Sequence, residues 1–420
     1  MNLALKGAES LVRRGAAGPA LQNIRGQFGQ TTALSSATEV EALCDLLARC
    51  FQQLQMDKLE LASAALAHNS SDGDAVFKLG IQLVAARMPE LAAAVLAYGL
   101  DIAPREQRIL LELSAALEMQ GKFGEALEFL RAFDADGFMP RYLTAFNTLM
   151  VGDIDGAREG AAGLTPETDA QIPMLERLTR VFARADAVAG VTSLDKSDHR
   201  GWHFILTGGL LLHLPDPAEH PFGHYAYLED SERLCKEGIL RLAAVLEVWD
   251  RGISKVLSFN NPESRRLGLA FAELLGVPEK TVVMPDESGL LVIYDQSSVI
   301  EEVFALLAKH GHDIRLFTHA SQFSREYKIA PDFTNLRYGS IISPWNRHII
   351  FPPRPDLPTA PPTGSDKDLA HEIAASDVEL EQLTDMQALL DLAAAAKEWV
   401  AAVQAAGAPR EKHRHGRTGA

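Results

Sequence analysis

Residues 73–104 read GDAVFKLGIQLVAARMPELAAAVLAYGLDIAP. Leu79, Leu83, Ala92 and Leu96 in this stretch recur 34 residues later as Leu113, Leu117, Ala126 and Leu130. Gly80 becomes Ser114, and Pro104 closes the first unit. Helical spacing puts Val76, Leu79 and Leu83 on one face of a first helix, and Ala92, Leu96 and Gly99 on one face of a second. Two helices approach closely only where a side chain is tiny, and large residues fill the gaps beside it. A small/large ladder at fixed period marks stacked helix–turn–helix units.

The pattern extends both ways. A second unit carries Leu110, Leu113 and Leu117, a turn at Gly121, then Ala126, Leu130 and Phe133. A third turns at Gly152 and carries Ala157, 31 residues after Ala126, so the period slips there. Residues 40–68 read as a degenerate first unit, with Leu43, Leu47 and Phe51 on one helix and Leu61, Ala62 and Ala65 on the next. This ladder resembles the tetratricopeptide-repeat family over residues 38–190, with Val76 and Leu110 where the family usually has an aromatic residue. The resemblance implies an all-α helical-repeat solenoid whose concave face holds a partner protein. The other reading is a helical bundle that packs only on its own C-terminal domain.

The chain has 420 residues, 47% hydrophobic and 23% charged, ordinary values for a globular protein of two or three domains. A net charge of −16 argues against broad nucleic-acid binding. Cys44, Cys50 and Cys235 form no paired spacing, so neither a disulfide framework nor a metal site is expected, and the expected compartment is the reducing cytoplasm. No apolar run is long enough to span a bilayer, so no membrane partner is expected. The opening MNLALKGAESLVRRGAAG has no continuous apolar core of a secretory signal and reads as a loose helix.

A further helix is expected over Ile172–Ala187, followed by a polar linker. The pattern then changes to short β-rich runs at 203–206, 255–259, 281–284, 290–294, 314–318 and 348–351, alternating with helices over 231–249, 262–275 and 298–310. Such alternation predicts an α/β domain over residues 200–352, with a mainly parallel sheet covered on both faces. Residues 353–376, opening with a proline-rich run, read as a stiff linker. A C-terminal helix is expected over 377–406, its stripe formed by Leu380, Leu383, Met386, Leu390 and Trp399. Residues 407–420 read as a disordered basic tail.

Two strand–loop–helix segments carry the candidate chemistry. One is KVLSF followed by Asn260-Asn261 and PESRRLGLAFAELLGVP; the other is GLLVIYD followed by Gln296-Ser297 and SVIEEVFALL. Ligands of parallel α/β sheets bind where strands end and helices begin, and backbone N–H groups there favour phosphate. Asp295 is positioned to orient a hydroxyl, Ser297 and Ser298 to donate to a phosphate, and Asn260, Asn261 and Arg265 to line the first loop. Each of these also has a plainer reading as a helix cap, a turn or a solvated helix face.

The order of elements over 231–318, with Leu275-Gly276-Val277-Pro278 at the turn, resembles a type I phosphoribosyltransferase core. That family carries two adjacent acids and a glycine-containing phosphate loop after the second strand. Here Tyr294 precedes a single Asp295, and Gln296-Ser297-Ser298-Val299 has no glycine. His199, His203, His213, His220 and His224 cluster in sequence without metal-ligand spacing. The leading expectation is an interaction scaffold whose α/β domain is non-catalytic or senses a phosphate-containing small molecule, with no cofactor. The alternatives are a nucleotide or phosphosugar transferase, which would need Mg2+, and a self-assembling structural subunit.

Overall fold

The computed structural model describes residues 3–28, 34–133, 136–282, 288–299, 303, 307, 314–325, 327–349 and 360–405. It divides into two compact units, with the boundary between Leu178 and Thr179, inside the helix Ile172–Ala187. An α-helical region is followed by an α/β region. Among the described residues no helix is long and apolar enough to cross a membrane.

The first unit is a succession of helices, each packed on the next. Gly73–Ala85 starts at Asp72, whose carboxylate accepts from the Asp74 and Ala75 amides, and Pro89 opens Pro89–Ile102. Gly80 and Gly99 are contact points: a Cβ on Gly80 would lie 2.3 Å from Leu96 Cδ2, and one on Gly99 2.5 Å from Val76 Cγ1. Val76, Leu79, Leu83, Leu96, Leu113, Leu117 and Ala126 are all fully buried in one continuous core.

Two expectations fail in this unit. Over Asp57–His68 the buried face is Leu59, Ser63 and Leu66, while Leu61 is 70% exposed and Ala65 exposed. A helix this rich in alanine offers two apolar stripes, and packing selects the one containing the leucine pair. The N-terminal stretch is not one loose helix. It forms Leu3–Arg13 and Ala17–Arg25, whose Ala8, Ala20 and Ile24 join the core with Val40 and Leu43.

The second unit is built on a seven-stranded parallel sheet among the described residues. Its strands are β1 (Leu210–Leu211), β2 (Tyr225–Glu229), β3 (Val256–Phe259), β4 (Glu279–Val282), β5 (Gly289–Asp295), β6 (Ile314–Gln322) and β7 (Phe333–Ile342). The order is β4-β3-β5-β6-β7, with β1 and β2 both pairing β7 at successive positions along it. From β3 the chain goes outward to β4 and returns past β3 to β5. The direction of winding therefore reverses between β3 and β5, where ligands of open α/β sheets bind. Glu232–Val248 and Pro262–Leu275 pack on one side, where Gly238 abuts Asn335 and Gly268 abuts Ser258. On the other side Leu257, Leu291, Ile293 and Leu316 cluster with Val303 and Leu307.

The run at 203–206 is no strand. It lies in the helix His199–Thr207, started by Asp198 and ended by Gly208 at φ 78°. Every residue of that helix is buried, so its sequence has no polar face to reveal a helical period. Residues 348 and 349 belong to a 3-10 segment, Pro344–Ile349, while 350 and 351 lie outside the described residues. The run at 281–284 is a strand only from Glu279 to Val282, with 283 and 284 outside. Of the helix expected over 298–310, Ser298 ends a 3-10 turn, Val299 is extended, and Val303 and Leu307 are helical; the rest lies outside the described residues.

Inside the stretch read as a linker, Ser365 caps a helix over Asp366–Ala374; its proline run at 353–359 lies outside the described residues. The C-terminal helix runs only from Met386 to Ala405, because Asp385 has φ 58° and a single 3-10 turn, Leu380–Gln382, precedes it. It folds back on the α/β unit: the Trp249 indole donates to the Ala393 carbonyl, and Trp399 packs edge-on to Phe204. Residues 407–420 lie outside the described residues.

Candidate functional site

The winding reversal forms a cleft of about 540 Å³ at the C-terminal ends of β3 and β5. Asn260 and Asn261 follow β3. The Asn261 side-chain oxygen accepts from the Ser264 amide and starts the helix, while its Nδ2 donates to Ser298 Oγ at 3.2 Å. Asp295 ends β5. Its Oδ1 accepts from the Ser297 amide and from the Tyr338 hydroxyl, both at 2.8 Å, and its Oδ2 accepts from Ser297 Oγ at 2.7 Å. Burial and the Asp295 charge hold the Tyr338 phenol well above its ordinary pKa, so it stays a donor. A carboxylate offers about four acceptor positions; these bonds leave one on Asp295 Oδ2.

Asn260, Asn261, Asp295 and Ser298 thus line one cleft, together with Phe259, Glu263, Tyr294, Ile341, Ile342, Ser343 and Asn346. Two candidates stand apart. Ser297 turns its hydroxyl to Asp295, and Arg265 pairs with Asp366 at 3.6 Å. No lysine, arginine or histidine lines the cleft among the described residues. Ser343 Oγ, in the cleft wall, is buried without a hydrogen-bond partner, and an unmet buried hydroxyl is costly.

One residue beneath the cleft is a network that the sequence reading missed. Asp230, fully buried, precedes the helix Glu232–Val248. Its Oδ2 accepts from the Tyr294 hydroxyl at 2.6 Å and faces His319 Nε2 at 2.9 Å and Cys235 Sγ at 3.7 Å. Its Oδ1 accepts from the Ser231 amide at 2.8 Å. Burial pushes the carboxyl pKa up. The His319 charge and the bonds from His319, Tyr294 and Ser231 outweigh burial and hold it below the usual carboxylate range. Burial and the Asp230 charge push the Cys235 thiol and the Tyr294 phenol well above theirs.

The histidines at 199–224 do not converge. His213 Nε2 contacts the Tyr225 hydroxyl at 2.8 Å, His199 Nε2 the Pro221 carbonyl at 3.1 Å, and His224 Nδ1 the Phe222 carbonyl at 3.0 Å. Burial, with the Arg241 and Arg200 charges, pushes His213 down to about 3. Gly208-Gly209 is a tight turn: a Cβ on Gly209 would lie 2.2 Å from the Pro331 carbonyl oxygen.

No protein-family model matches this chain, and no curated protein sequence matches it. A solved structure, the purine phosphoribosyltransferase from Pyrococcus horikoshii Ot3, is similar to 29% of this chain over 94% of its own length. The identity is 16% and the TM-score 0.24, too low to bear on the fold or the site.

Proposed function

We propose that the α/β unit binds a small polyhydroxylated molecule of the ribose or nucleoside class in the cleft between β3 and β5. The lining carries this reading. Two carboxylates, three carboxamides and two serine hydroxyls surround a space of about 540 Å³, with no basic side chain among the described residues. That volume lies in the range of small-molecule sites. Asp295 Oδ2 and Glu263 suit sugar hydroxyls as donors, the carboxamides serve both directions, and Ser343 Oγ lacks a partner. Phe259, Ile341 and Ile342 supply an apolar wall for a ring face. The helical unit, by its resemblance to tetratricopeptide repeats, is proposed to hold a partner protein, making the whole a ligand-sensing scaffold.

A phosphate-first reading fits this lining less well. Asp295 and Glu263 repel an anion, so a diphosphate would need Mg2+ between it and them. Calorimetric titration of the full chain with ribose, nucleosides, and phosphoribosyl pyrophosphate plus Mg2+ separates the readings. A nucleoside or ribose that binds, and is lost in Asp295→Ala, supports the proposal. Binding of the diphosphate sugar alone would favour the transferase, and no binding across the panel would overturn both.

A further inference from the structure

In a catalytic relay an imidazole uses its two nitrogens for two different partners. In His319 the carboxylate and the thiol share one nitrogen, while the other meets only the Asn335 carboxamide. A single nitrogen, Nε2, faces Asp230 Oδ2 at 2.9 Å and Cys235 Sγ at 3.8 Å, and those two atoms lie 3.7 Å apart. All three residues are fully buried. Their ligand atoms close on a common point instead of forming a chain.

We propose that Asp230, Cys235 and His319 bind one divalent transition metal of the zinc class. The triangle has the right size. A point equidistant from its corners lies about 2.0 Å from each atom, against zinc–nitrogen and zinc–oxygen bonds of about 2.0–2.2 Å and zinc–sulfur bonds of about 2.3 Å. The donor set is right as well, since thiolate, imidazole and carboxylate are the groups zinc takes, and thiolate disfavours magnesium and calcium.

Charge points the same way. Binding replaces the thiol proton, which leaves to solvent, so a doubly charged cation meets one thiolate and one carboxylate and the buried centre becomes neutral. Among the described residues the Asp230 carboxylate pairs only with His319, at 2.9 Å, and Arg347 donates to the Asp230 carbonyl oxygen instead. The other ring nitrogen, Nδ1, lies 3.2 Å from the Asn335 carboxamide nitrogen. The side-chain oxygen of Asn335 has no partner, and rotating that carboxamide supplies the acceptor that a metal-bound imidazole uses. Tyr294, through its hydroxyl, steadies Asp230 from the cleft side. This proposal stands apart from the reading of the cleft, because none of the three ligands lines it.

The test is titration of the chelator-treated full chain with Co2+, followed by displacement with Zn2+ and elemental analysis. The expected result is one equivalent of cobalt, with a thiolate-to-cobalt charge-transfer band in the near ultraviolet that zinc abolishes. Cys235→Ala should lose the charge-transfer band, and His319→Gln, which removes a direct ligand, should weaken binding by at least the roughly 10–100-fold that loss of an outer-shell partner costs. A folded wild-type protein that shows no thiolate band at excess cobalt overturns the proposal without recourse to any variant. So does a band that survives in Cys235→Ala.

Discussion

The two units close their interiors with opposite chemistry. The helical unit removes side chains where its helices meet: Gly80 admits Leu96, Gly99 admits Val76, and the core around them is almost wholly apolar. The α/β unit puts titratable groups at the corresponding depth. Asp230, Cys235, His319 and Asn335 lie between the sheet and Glu232–Val248, and His213 and Arg241 are buried nearby. An apolar core is stabilised by shape and area, and its cost of disturbance is set by volume. A buried polar network is neutral at best when every member is satisfied and expensive when one is removed. The first kind of interior is set by shape; the second places titratable groups inside the α/β unit.

The chain itself supplies separate readouts. Its four tryptophans, Trp202, Trp249, Trp345 and Trp399, all belong to the α/β unit. Tryptophan fluorescence therefore follows that unit alone, while far-ultraviolet dichroism also follows the helices. The largest expected effect is Asp230→Ala, which strands the Tyr294 hydroxyl, His319 Nε2 and the Ser231 amide. Breaking a buried pair from one side costs about 3–5 kcal/mol, so the fluorescence transition in urea should move far to lower denaturant. A shift of less than a third of that would mean the network contributes little.

Next in size is a pH dependence confined to the α/β unit. His213 falls from 6.5 to about 3 on folding, through burial and the Arg241 and Arg200 charges. Between those values the unfolded chain binds the extra proton, so stability rises with pH from about 3 to about 6.5, at up to about 1.4 kcal/mol per pH unit for this group. His224, pushed down to about 4, adds the same sign. Asp230 works at the acid end, where stability is lost as pH falls below the ordinary carboxylate range. Fluorescence-detected unfolding at pH 5 and 6.5 should show the slope, and His213→Gln should flatten it. An unchanged slope in that variant would assign the dependence elsewhere.

Gly80→Ala probes the other interior. The added methyl meets Leu96 at 2.3 Å; overpacking costs about 1–3 kcal/mol, and the better helix propensity of alanine returns about 1. A net loss of about 1 kcal/mol should appear in dichroism and not in fluorescence, and Leu96→Val in the same chain should restore part of it. A stabilised Gly80→Ala would show that the glycine is not a close-packing device.

What could be read in advance follows the same division. The helical ladder was legible because close packing leaves a periodic trace of small residues, as at Gly80 and Ala126. Four cleft residues were legible because strand, loop and helix are contiguous in sequence around Asn260 and Asp295. The Asp230 network left no such trace. His319 is 89 residues from Asp230 and 84 from Cys235, and only the parallel sheet brings them together. β7 escaped notice because Thr334, Asn335 and Arg337 interrupt its apolar pattern, and buried polar groups of that kind are what a strand beside a buried network carries. Asp57–His68 shows the limit of periodicity alone, since two stripes were available and tertiary contact chose between them.

The smallest effect tests whether surface charge holds neighbouring helices of the first unit in register. Arg108 spans neighbouring units, donating to Asp74, 34 residues earlier, at 3.0 Å, and to Glu106 beside it. The separation of this pair equals the 34-residue spacing of Leu79 and Leu113, which suggests a clasp by position. Both side chains are more than half exposed, however, and such pairs lose in side-chain entropy and solvent screening most of what they gain. Asp74→Asn should therefore leave the dichroism-detected midpoint unchanged at both low and high salt. A clear loss at low salt that vanishes at high salt would show electrostatics setting the spacing of the helices, and the contrast between an interior governed by shape and one governed by charge would no longer separate the two units.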